Sequence, residues 1–436
     1  MRSYNLGMRI AVVGLWHLGC VYSACLASLG HEVVGIDEDV TVVELLQSGG
    51  LPVREPGLVD LISRGVNMKS LSFSDNFAVI EDADIVWLAI DTPVLDDDTA
   101  DVTSVMAIVD RIVPYLRLDT VVVVSSQLPV GSCRKIRNLA RKGRPNSRVE
   151  VVCSPENLRL GSALTSFLKA DRIVIGSDSE SAIATVIGAL ESLAIPTLVM
   201  SLESAELVKH ALNAFLAMSV AFANEIGQVA EAYNADAWDV SRALKTDRRI
   251  GPRSYVQPGG PIAGGTLARD IRFLEEMGKE KNLQIPVLSS ILESHDWQRT
   301  WPLRVLTGVI EPASGVVLVL GLAYKAGSST LRRSFGLHVA HELVDAGFKV
   351  WVLDGGAESL PDDADRFTRV NTLNGVIDVV SAIVICAMEE SILQLPILLS
   401  NSTKQPLIVD VIGALHSNID LPDTAVVLTP GKGVNL

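Results

Sequence analysis

The sequence has 436 residues, of which 48% are hydrophobic and 20% are charged, and its formal net charge is −14. A chain of this length exceeds what one hydrophobic core usually serves, so we expect two or three domains. The negative charge argues against nucleic acid or an anionic membrane as the main partner. No apolar run approaches the roughly 18 residues of a membrane span, so the composition predicts a soluble protein with no membrane and no nucleic-acid partner.

Five cysteines form an odd number and lie without the spacing of metal ligands. We therefore expect reduced thiols, no disulfide framework and no metal site. Residues 1–7 are too short and too polar for a signal peptide. These features predict a cytoplasmic protein.

Residues 8–37 read as an apolar strand, a glycine turn, a helix and a second strand that ends in Asp37. This order predicts a dinucleotide-type βαβ unit. Asp37 lies 18 residues beyond Gly19, where a carboxylate can accept hydrogen bonds from ribose hydroxyls. The acids that follow it would repel a 2′-phosphate, so NAD is favoured over NADP. The turn would contact the cofactor through Gly14, Trp16, His17, Leu18 and Gly19.

The glycine turn is an imperfect fingerprint. Trp16 stands where a middle glycine normally lets the pyrophosphate approach. The alternative interpretation is a βαβ unit that only packs, so the turn alone leaves cofactor binding open.

Strand-like runs then alternate with helical or loop stretches, which predicts a doubly wound parallel sheet and an α/β fold. Ligands of such sheets bind at the carboxyl ends of the strands, so the loops that carry Thr92, Ser126 and Glu156 are candidate site loops. Prolines in the same loops are also ordinary strand terminators, which is the alternative explanation. The strands are expected at residues 84–91, 120–126, 149–153 and 172–176.

A single long helix is predicted over residues 204–234, which carry apolar side chains at helical spacing. Glu206, Lys209 and Asn213 are three and four residues apart and share one helix face. On a surface they would form a solvated ion pair of little value, whereas among apolar neighbours Lys209 can act as an electrostatic clamp. A helix of this length between two α/β domains also predicts a homodimer contact.

A Pro/Gly-rich loop at residues 257–265 leads into an amphipathic helix that we expect to begin near Thr266. Thr266 is predicted to be the N-cap of this helix, and Asp270, four residues later, shares its face. The preceding connector carries arginines that are either exposed or ligands of a pyrophosphate, because guanidinium groups suit phosphate oxygens. These arginines are Arg248, Arg249 and Arg253.

From Ser314 onwards the pattern restarts, and residues 347–354 echo residues 30–37. The near-repeat predicts a second Rossmann-like domain. It shows no glycine fingerprint, but Lys325 and Arg332 in the loop after its first strand suit a phosphate-bearing substrate.

The motifs occur in a specific order along the chain. They are the turn at Gly14, Glu55-Pro56-Gly57-Leu58, Asp91-Thr92-Pro93, Ser154-Pro155-Glu156, Lys209 to Asn213, Arg249-Ile250-Gly251, Pro258 to Asp270, and Leu322-Ala323-Tyr324-Lys325 with Arg332. This order resembles the UDP-glucose dehydrogenase family, the UDP-glucose and GDP-mannose dehydrogenases, over essentially the whole chain. The resemblance implies an NAD-binding Rossmann domain (1–200), a central helical domain with a dimerisation helix (201–300) and a C-terminal Rossmann-like domain for a nucleotide sugar (301–436).

The resemblance also implies a role for each matching position. Thr92 and Glu156 would position water or act as a base, and Asp270 would hold the catalytic water or act as a base. Lys209 and Asn213 would bind the developing oxyanion, since a cation and an amide four residues apart can reach one oxygen. The nucleotide sugar would be held by Glu156, Asn157, Leu158, Lys209, Asn213, Tyr255, Gly264, Lys325 and Arg332, with Arg249 supplied by a second subunit.

One catalytic position departs from the family pattern. The family's loop carries a nucleophilic cysteine that attacks the aldehyde made by the first hydride transfer and leads to a thioester, and here Thr266 replaces it. A threonine hydroxyl ionises too weakly for this attack, and no histidine stands near it in sequence. Leu160 likewise stands where many members have a second acid.

Three functions follow from these observations. The favoured one is NAD-dependent oxidation of a UDP-glucose-like sugar at C6 to the uronic acid through a hydrated aldehyde, with Glu156 and Asp270 activating water. The second is a two-electron dehydrogenase or epimerase that stops at the carbonyl. The third is a nucleotide-sugar-binding module without catalysis. The sugar and the base of the nucleotide stay open.

Overall fold

A computed structural model describes residues 7–93, 99–144, 147–262, 265–323, 331, 334–355, 366–417 and 419–432. The chain divides into two compact units, the first ending at Leu212 and the second beginning at Asn213. Each unit contains one twisted sheet with helices on both faces.

The sheet of the first unit has eight strands in the order β3-β2-β1-β4-β5-β6-β7-β8. Its first six strands follow the doubly wound order of a dinucleotide-binding fold, as the sequence predicts. The strands are β1 (Arg9–Val13), β2 (Glu32–Ile36), β3 (Leu71–Ser74), β4 (Ile85–Leu88), β5 (Val121–Val124), β6 (Glu150–Cys153), β7 (Ile173–Gly176) and β8 (Thr197–Met200).

Alternate residues of β1 enter two different cores. Ile10 and Val12 pack against the helices of one face, and Ala11 and Val13 pack against those of the other. A strand covered on both faces is apolar throughout, which is why the strand was readable from the sequence. The helices of this unit are α1 (His17–Ser28), α2 (Val40–Gln47), α3 (Leu58–Asn67), α4 (Val102–Ile112), α5 (Ser132–Gly143), α6 (Ala163–Leu168) and α7 (Glu180–Leu190).

Two strands depart from the predicted parallel arrangement. β7 runs antiparallel to β6 through the pair Cys153 and Gly176, and β8 runs parallel to β7. An apolar run has the same appearance in either direction, so the sequence pattern could not reveal this reversal.

Helices form the first part of the second unit. The predicted long helix is present as α8 (Leu202–Ala232), which contains the boundary between the units. Small and branched apolar side chains of α8, α10 and α11 share one core. The remaining bounds are α9 (Ala237–Thr246), α10 (Gly265–Glu280), α11 (Pro286–Arg299) and α12 (Trp301–Thr307). Across the described residues, every helix is too short or too polar to cross a bilayer.

The second sheet has six strands in the order β11-β10-β9-β12-β13-β14, and its paired strands are parallel. The predicted second Rossmann-like domain is therefore present. Its strands are β9 (Val316–Leu320), β10 (Lys349–Leu353), β11 (Thr368–Arg369), β12 (Ala382–Ile385), β13 (Leu407–Asp410) and β14 (Val427–Leu428), and its helices are α13 (Phe335–Asp345) and α14 (Leu395–Asn401).

The turn after the first strand is the same in both sheets. Gly14 N donates to Ile36 O at 2.8 Å, and Gly321 N donates to Leu353 O at 3.0 Å. Both glycines have positive φ, +94° and +81°, a conformation that favours glycine. The near-repeat read from the sequence thus extends to hydrogen bonds.

The second domain has no G-x-G-x-x-G run after its first strand, yet it carries two glycines in the same structural places as the first domain. A Cβ on Gly19 would lie 1.6 Å from Gly14 O, and a Cβ on Gly336 would lie 2.1 Å from Gly321 O. Each domain therefore uses one glycine for the turn and a second for close helix packing. The two glycines are five residues apart in the first domain and fifteen in the second. Because of this wider spacing, the second pair cannot be recognised as a short sequence motif.

Candidate active site

Asp37 lies at the end of β2, beside the glycine turn. Its Oδ2 accepts from Leu15 N at 2.6 Å, and its Oδ1 accepts from Asp39 N at 3.0 Å. The structure thus brings together the turn and the acid that the sequence singled out, which is the arrangement a ribose requires.

Trp16 does not fill the glycine turn. Half of its side chain, 51%, is exposed, and the described residues include no hydrogen-bond partner for the N–H groups of Trp16 and His17. A Cβ on Gly14 would come within 2.9 Å of Ile90 Cα, so the turn is open only because this residue is glycine. Two unpaired N–H groups at a helix start and the close turn fit the pyrophosphate of NAD.

Asp91 contributes to the same turn in a way that the sequence did not reveal. Its Oδ2 accepts from Leu18 N at 3.0 Å. The carboxylate thus occupies one of the N–H groups at the start of α1, and it lies on a loop that follows a different strand. Only the fold brings these two positions together.

Thr92 and Ser126 join the loops after β4 and β5. Both side chains are buried. Thr92 Oγ1 donates to Gln127 O at 2.7 Å, and Ser126 Oγ accepts from Ile90 N at 2.9 Å. Two of the predicted site loops therefore meet at the carboxyl edge of the sheet.

His210 is a buried residue of α8 that sequence reasoning missed. Its Nδ1 lies 3.1 Å from Gln127 Nε2, and its Nε2 lies 3.0 Å from Leu128 O. These bonds fix the start of α8 to the loop after β5. A single histidine in a helix does not predict such a contact. The only sequence signal for His210 is its position directly after Lys209, a predicted site residue.

Lys209, which is buried, forms an ion pair with Glu156, which is largely buried. Nζ of the lysine lies 2.9 Å from Oε1 of the glutamate. Glu156 Oε2 accepts from Leu158 N at 2.6 Å, so the carboxylate is held within its own loop. A cavity of about 10 Å³, close to the size of one water, borders Lys209 and Pro155. The predicted cation and the predicted acid are thus in direct contact.

Glu206 shares the helix face of Lys209 but has a different partner. Its two carboxylate oxygens accept from Gly131 N at 2.6 Å and from Cys133 N at 2.7 Å. These are N–H groups at the start of α5, where an acid is stabilising. Glu206 therefore holds a helix and not the Lys209 ammonium.

Asn213 and Asp270 are the corresponding pair of the second unit. Asn213 Nδ2 donates to Asp270 Oδ2, and Asp270 is fully buried. Arg269, which the sequence did not single out, is also buried and places a guanidinium nitrogen 3.8 Å from the same oxygen. An amide and a cation therefore stabilise the Asp270 carboxylate.

Thr266 is not the N-cap that the sequence predicted. Helix α10 begins at Gly265, so Thr266 lies inside its first turn. Its side chain is exposed, whereas Asp270 one turn later is buried. The helix itself begins where predicted, and the shift of the cap reflects the helical conformation of the preceding glycine.

Two buried amides hold the loop that leads into α10. Asn224 Oδ1 accepts from Gly259 N at 2.9 Å and its Nδ2 donates to Gly260 O at 3.1 Å. Gln298 Nε2 donates to Gly259 O at 2.8 Å. These contacts bind a glycine-rich backbone that has no side chains of its own to pack, and nothing in the local sequence predicts them.

The remaining predicted substrate contacts are less constrained. Arg249 pairs with Asp247 through bonds of 3.0 and 2.7 Å, yet 89% of its side chain is exposed. Tyr255 is 48% exposed. Asn157 is half-buried beside Glu156. Gly264, Lys325 and Arg332 lie outside the described residues.

No cysteine substitutes for the missing nucleophile. All five cysteines are free and buried. Cys153 ends β6, and its thiol contact and burial raise the pKa of Cys133 well above the usual value. A thiol that stays protonated is a poor nucleophile.

Family profiles of the UDP-glucose/GDP-mannose dehydrogenase family match the chain in three parts: the NAD binding domain over residues 8–192, the central domain over 203–296 and the UDP binding domain over 318–417.

Individual relatives cover most of the chain. UDP-glucose 6-dehydrogenase TuaD of Bacillus subtilis is 31% identical over 349 residues, 79% of this chain and 76% of that protein. The UDP-glucose 6-dehydrogenase of Rhizobium meliloti is 32% identical over 352 residues, 79% of this chain and 80% of that protein. The structure of a UDP-glucose dehydrogenase from Pyrobaculum islandicum has a TM-score of 0.89 and 27% identity, and the match covers 100% of both chains.

These matches confirm the predicted fold class, the NAD-binding domain and the dehydrogenase class. The chain belongs to the UDP-glucose/GDP-mannose dehydrogenase family.

Proposed function

We propose that this NAD-dependent nucleotide-sugar dehydrogenase oxidises C6 of a UDP-hexose to the carboxylic acid through a hydrated aldehyde, without a thioester. The observation that carries the proposal is the largely buried ion pair of Lys209 and Glu156, because it offers both a cation for a developing oxyanion and an acceptor for a proton. UDP is chosen because the third matching family profile is a UDP binding domain.

The residues of the chain divide the work of two oxidations. The glycine turn at Gly14 and the carboxylate of Asp37 would hold NAD, which would supply the hydride acceptor for each oxidation. Lys209 and Asn213, one turn apart on α8, stabilise negative charge on the C6 oxygen. Glu156 and Asp270 take up protons, first from the alcohol and then from the water that adds to the aldehyde. The hydrate then loses the second hydride, and the acid is the product.

Thr266 takes no covalent part in this scheme. Its hydroxyl is exposed in the first turn of α10, and one helix dipole is too weak to ionise an alcohol at neutral pH. Water bound by a carboxylate is the remaining nucleophile that the described residues of the site can activate.

A homodimer is proposed from the exposed apolar residues of α8. Phe215, Phe222 and Val229 follow one another at intervals of seven residues and are 61%, 48% and 55% exposed. This spacing places them along one stripe of the helix, as in a helix that pairs with a second helix. The exposed Arg249 guanidinium is then available to the sugar site of a second subunit.

We also propose the three domains 1–200, 201–300 and 301–436, supported by the three separate profile matches. A cytoplasmic location is proposed because five buried thiols without a disulfide suit a reducing compartment.

The number of NADH molecules made per sugar tests the proposal. Purified protein is incubated with NAD and limiting UDP-glucose, UDP-N-acetylglucosamine or GDP-mannose, and the product is identified by mass spectrometry. Two NADH and a uronic acid support the proposed route. One NADH with a carbonyl product, or a catalytic trace with an epimer, supports the two-electron alternative, which the missing thiol at position 266 favours. Sugar binding without NADH would indicate a binding module.

A further inference from the structure

Glu55 is a buried carboxylate that none of the proposed catalytic roles uses. It lies in the loop between α2 and α3, and its side chain is 0% exposed. Oε2 lies 2.9 Å from His17 Nε2 and 2.8 Å from Gly161 N, and Oε1 lies 2.9 Å from Ala163 N. A carboxylate away from water needs such partners because an uncompensated charge is costly there. Glu55 therefore joins three separate segments of the first unit.

Two of the joined segments carry candidate site residues of the first unit: the glycine turn for the cofactor and the loop that begins at Glu156. His17 is the first residue of α1 and follows the glycine turn directly. Gly161, with a φ of +84°, closes the loop that begins at Glu156, and Glu156 is the partner of Lys209. A path of hydrogen bonds from His17 through Glu55 to Gly161, and from there along the loop backbone to Glu156, thus joins the glycine turn to the ion pair.

A purely local role does not account for all of these bonds. The Ala163 N–H belongs to the start of α6, and a helix start needs only an acceptor. Glu206 provides such an acceptor at α5, where its partners are two backbone N–H groups and the thiol of Cys133, a residue of that same helix. Glu55 differs because an imidazole from the glycine turn completes its contacts.

We propose that Glu55 and His17 are positioning residues that couple NAD binding to the placement of the Glu156 loop. The inference rests on the proposed function. A cofactor bound at the turn fixes the start of α1, including His17, and the buried Glu55 carboxylate passes that constraint to Gly161. Because coupling between two ligands is reciprocal, NAD binding and sugar binding each strengthen the other.

Calorimetry on the full chain tests the coupling. UDP-glucose is titrated with and without saturating NADH, which cannot accept a hydride, so the ternary complex does not turn over. NADH is expected to lower the Kd for UDP-glucose by about fivefold or more in the parent. At an NADH concentration that saturates each variant, this ratio falls to near one in Glu55→Gln and in His17→Phe, while UDP-glucose alone still binds. The matched control Glu206→Gln, which likewise replaces one of two carboxylate oxygens that accept from backbone N–H groups, keeps the parent ratio.

Several outcomes would overturn the coupling. They are a ratio near one in the parent, an unchanged ratio in both variants, and an equal loss of the ratio in Glu206→Gln, which indicates a general packing effect. His17→Phe decides the matter if Glu55→Gln does not fold, because 14% of the His17 side chain is exposed. If both ligands bind without coupling, the proposed function stands and the coupling fails. If UDP-glucose does not bind the parent, the proposed function fails and the coupling fails with it.

Discussion

Lys209 Nζ lies 2.9 Å from Glu156 Oε1, and only 8% and 17% of the two side chains are exposed. In such a dry setting a cation stabilises a developing oxyanion more strongly than it does in water. Lys209→Ala is expected to lower kcat for UDP-glucose oxidation by about 10²–10³-fold, with a smaller change in the Kd for UDP-glucose. Steady-state rates and calorimetry measure these two quantities.

The matched control is Lys281→Ala, which removes a lysine whose side chain is 68% exposed. It should leave both quantities unchanged. Turnover by Lys209→Ala at the parent rate would remove Lys209 from the proposed site.

Thr266→Cys is expected to speed formation of the acid by about tenfold or more, because a covalent intermediate divides one difficult step into two easier ones. The position is exposed and lies in the first turn of α10, where a helix dipole favours thiolate. The rate of the second oxidation is followed by single-turnover NADH formation, with Thr266→Ser as the control that keeps a hydroxyl. An accessible thiol, shown by labelling, together with the parent rate and product would contradict the assignment of this loop.

His338 is expected to make stability depend on pH. Burial lowers its pKa to about 4, and the neighbouring cations Arg299, His295 and His341 act in the same direction, while Asp296 opposes them. The folded state therefore binds fewer protons than the unfolded state between about pH 4 and 6.5, so this contribution to stability is complete above pH 6.5 and is lost as the pH falls towards 4.

Urea unfolding of the parent and of His338→Gln over this range measures the contribution. The free energy of unfolding of the parent minus that of His338→Gln should increase from pH 4 to pH 6.5 by on the order of 2 kcal/mol, after a discount for partial exposure. A difference that is constant over the range would contradict the assignment.

Phe222→Asp is expected to convert a dimer into a monomer, because a charge in the centre of an apolar helix seam must be desolvated without a partner. Phe222 is 48% exposed on α8. Light scattering after gel filtration gives the molar mass. Leu393→Asp, at an apolar residue 67% exposed away from α8, is the control and should keep the parent mass. A monomeric parent would refute the proposed dimer.

Sequence patterns predicted those parts of the molecule whose signal is local. The glycine turn, the long helix α8 and the start of α10 were readable because glycine conformation and helical periodicity depend on neighbouring residues. The spacing of Lys209 and Asn213 is by itself enough to predict that both lie on one helix face.

Contacts between distant segments could not be predicted in this way. Glu55 meets His17 across 38 residues, and Gln127 meets His210 across 83. Each of these side chains is an unremarkable polar residue in its own segment, and only the packing of strands and loops makes it a partner. The reversal of β7 escaped prediction for a related reason, since strand direction is set by the connection and not by composition.

The turn that both sheets share has a different polarity in each. At the first turn one carboxylate oxygen of Asp37 accepts from Leu15 N–H, and the next two N–H groups, of Trp16 and His17, have no partner among the described residues. At the second turn Asp354 Oδ2 accepts from both Leu322 N–H and Ala323 N–H, at 2.7 and 2.6 Å. The N–H groups of Leu322 and Ala323 are therefore already bonded to a carboxylate and are not available to an anion. A phosphate bound beside that turn would need donors other than these two N–H groups, so two turns with one backbone shape would bind the same chemical group by different means.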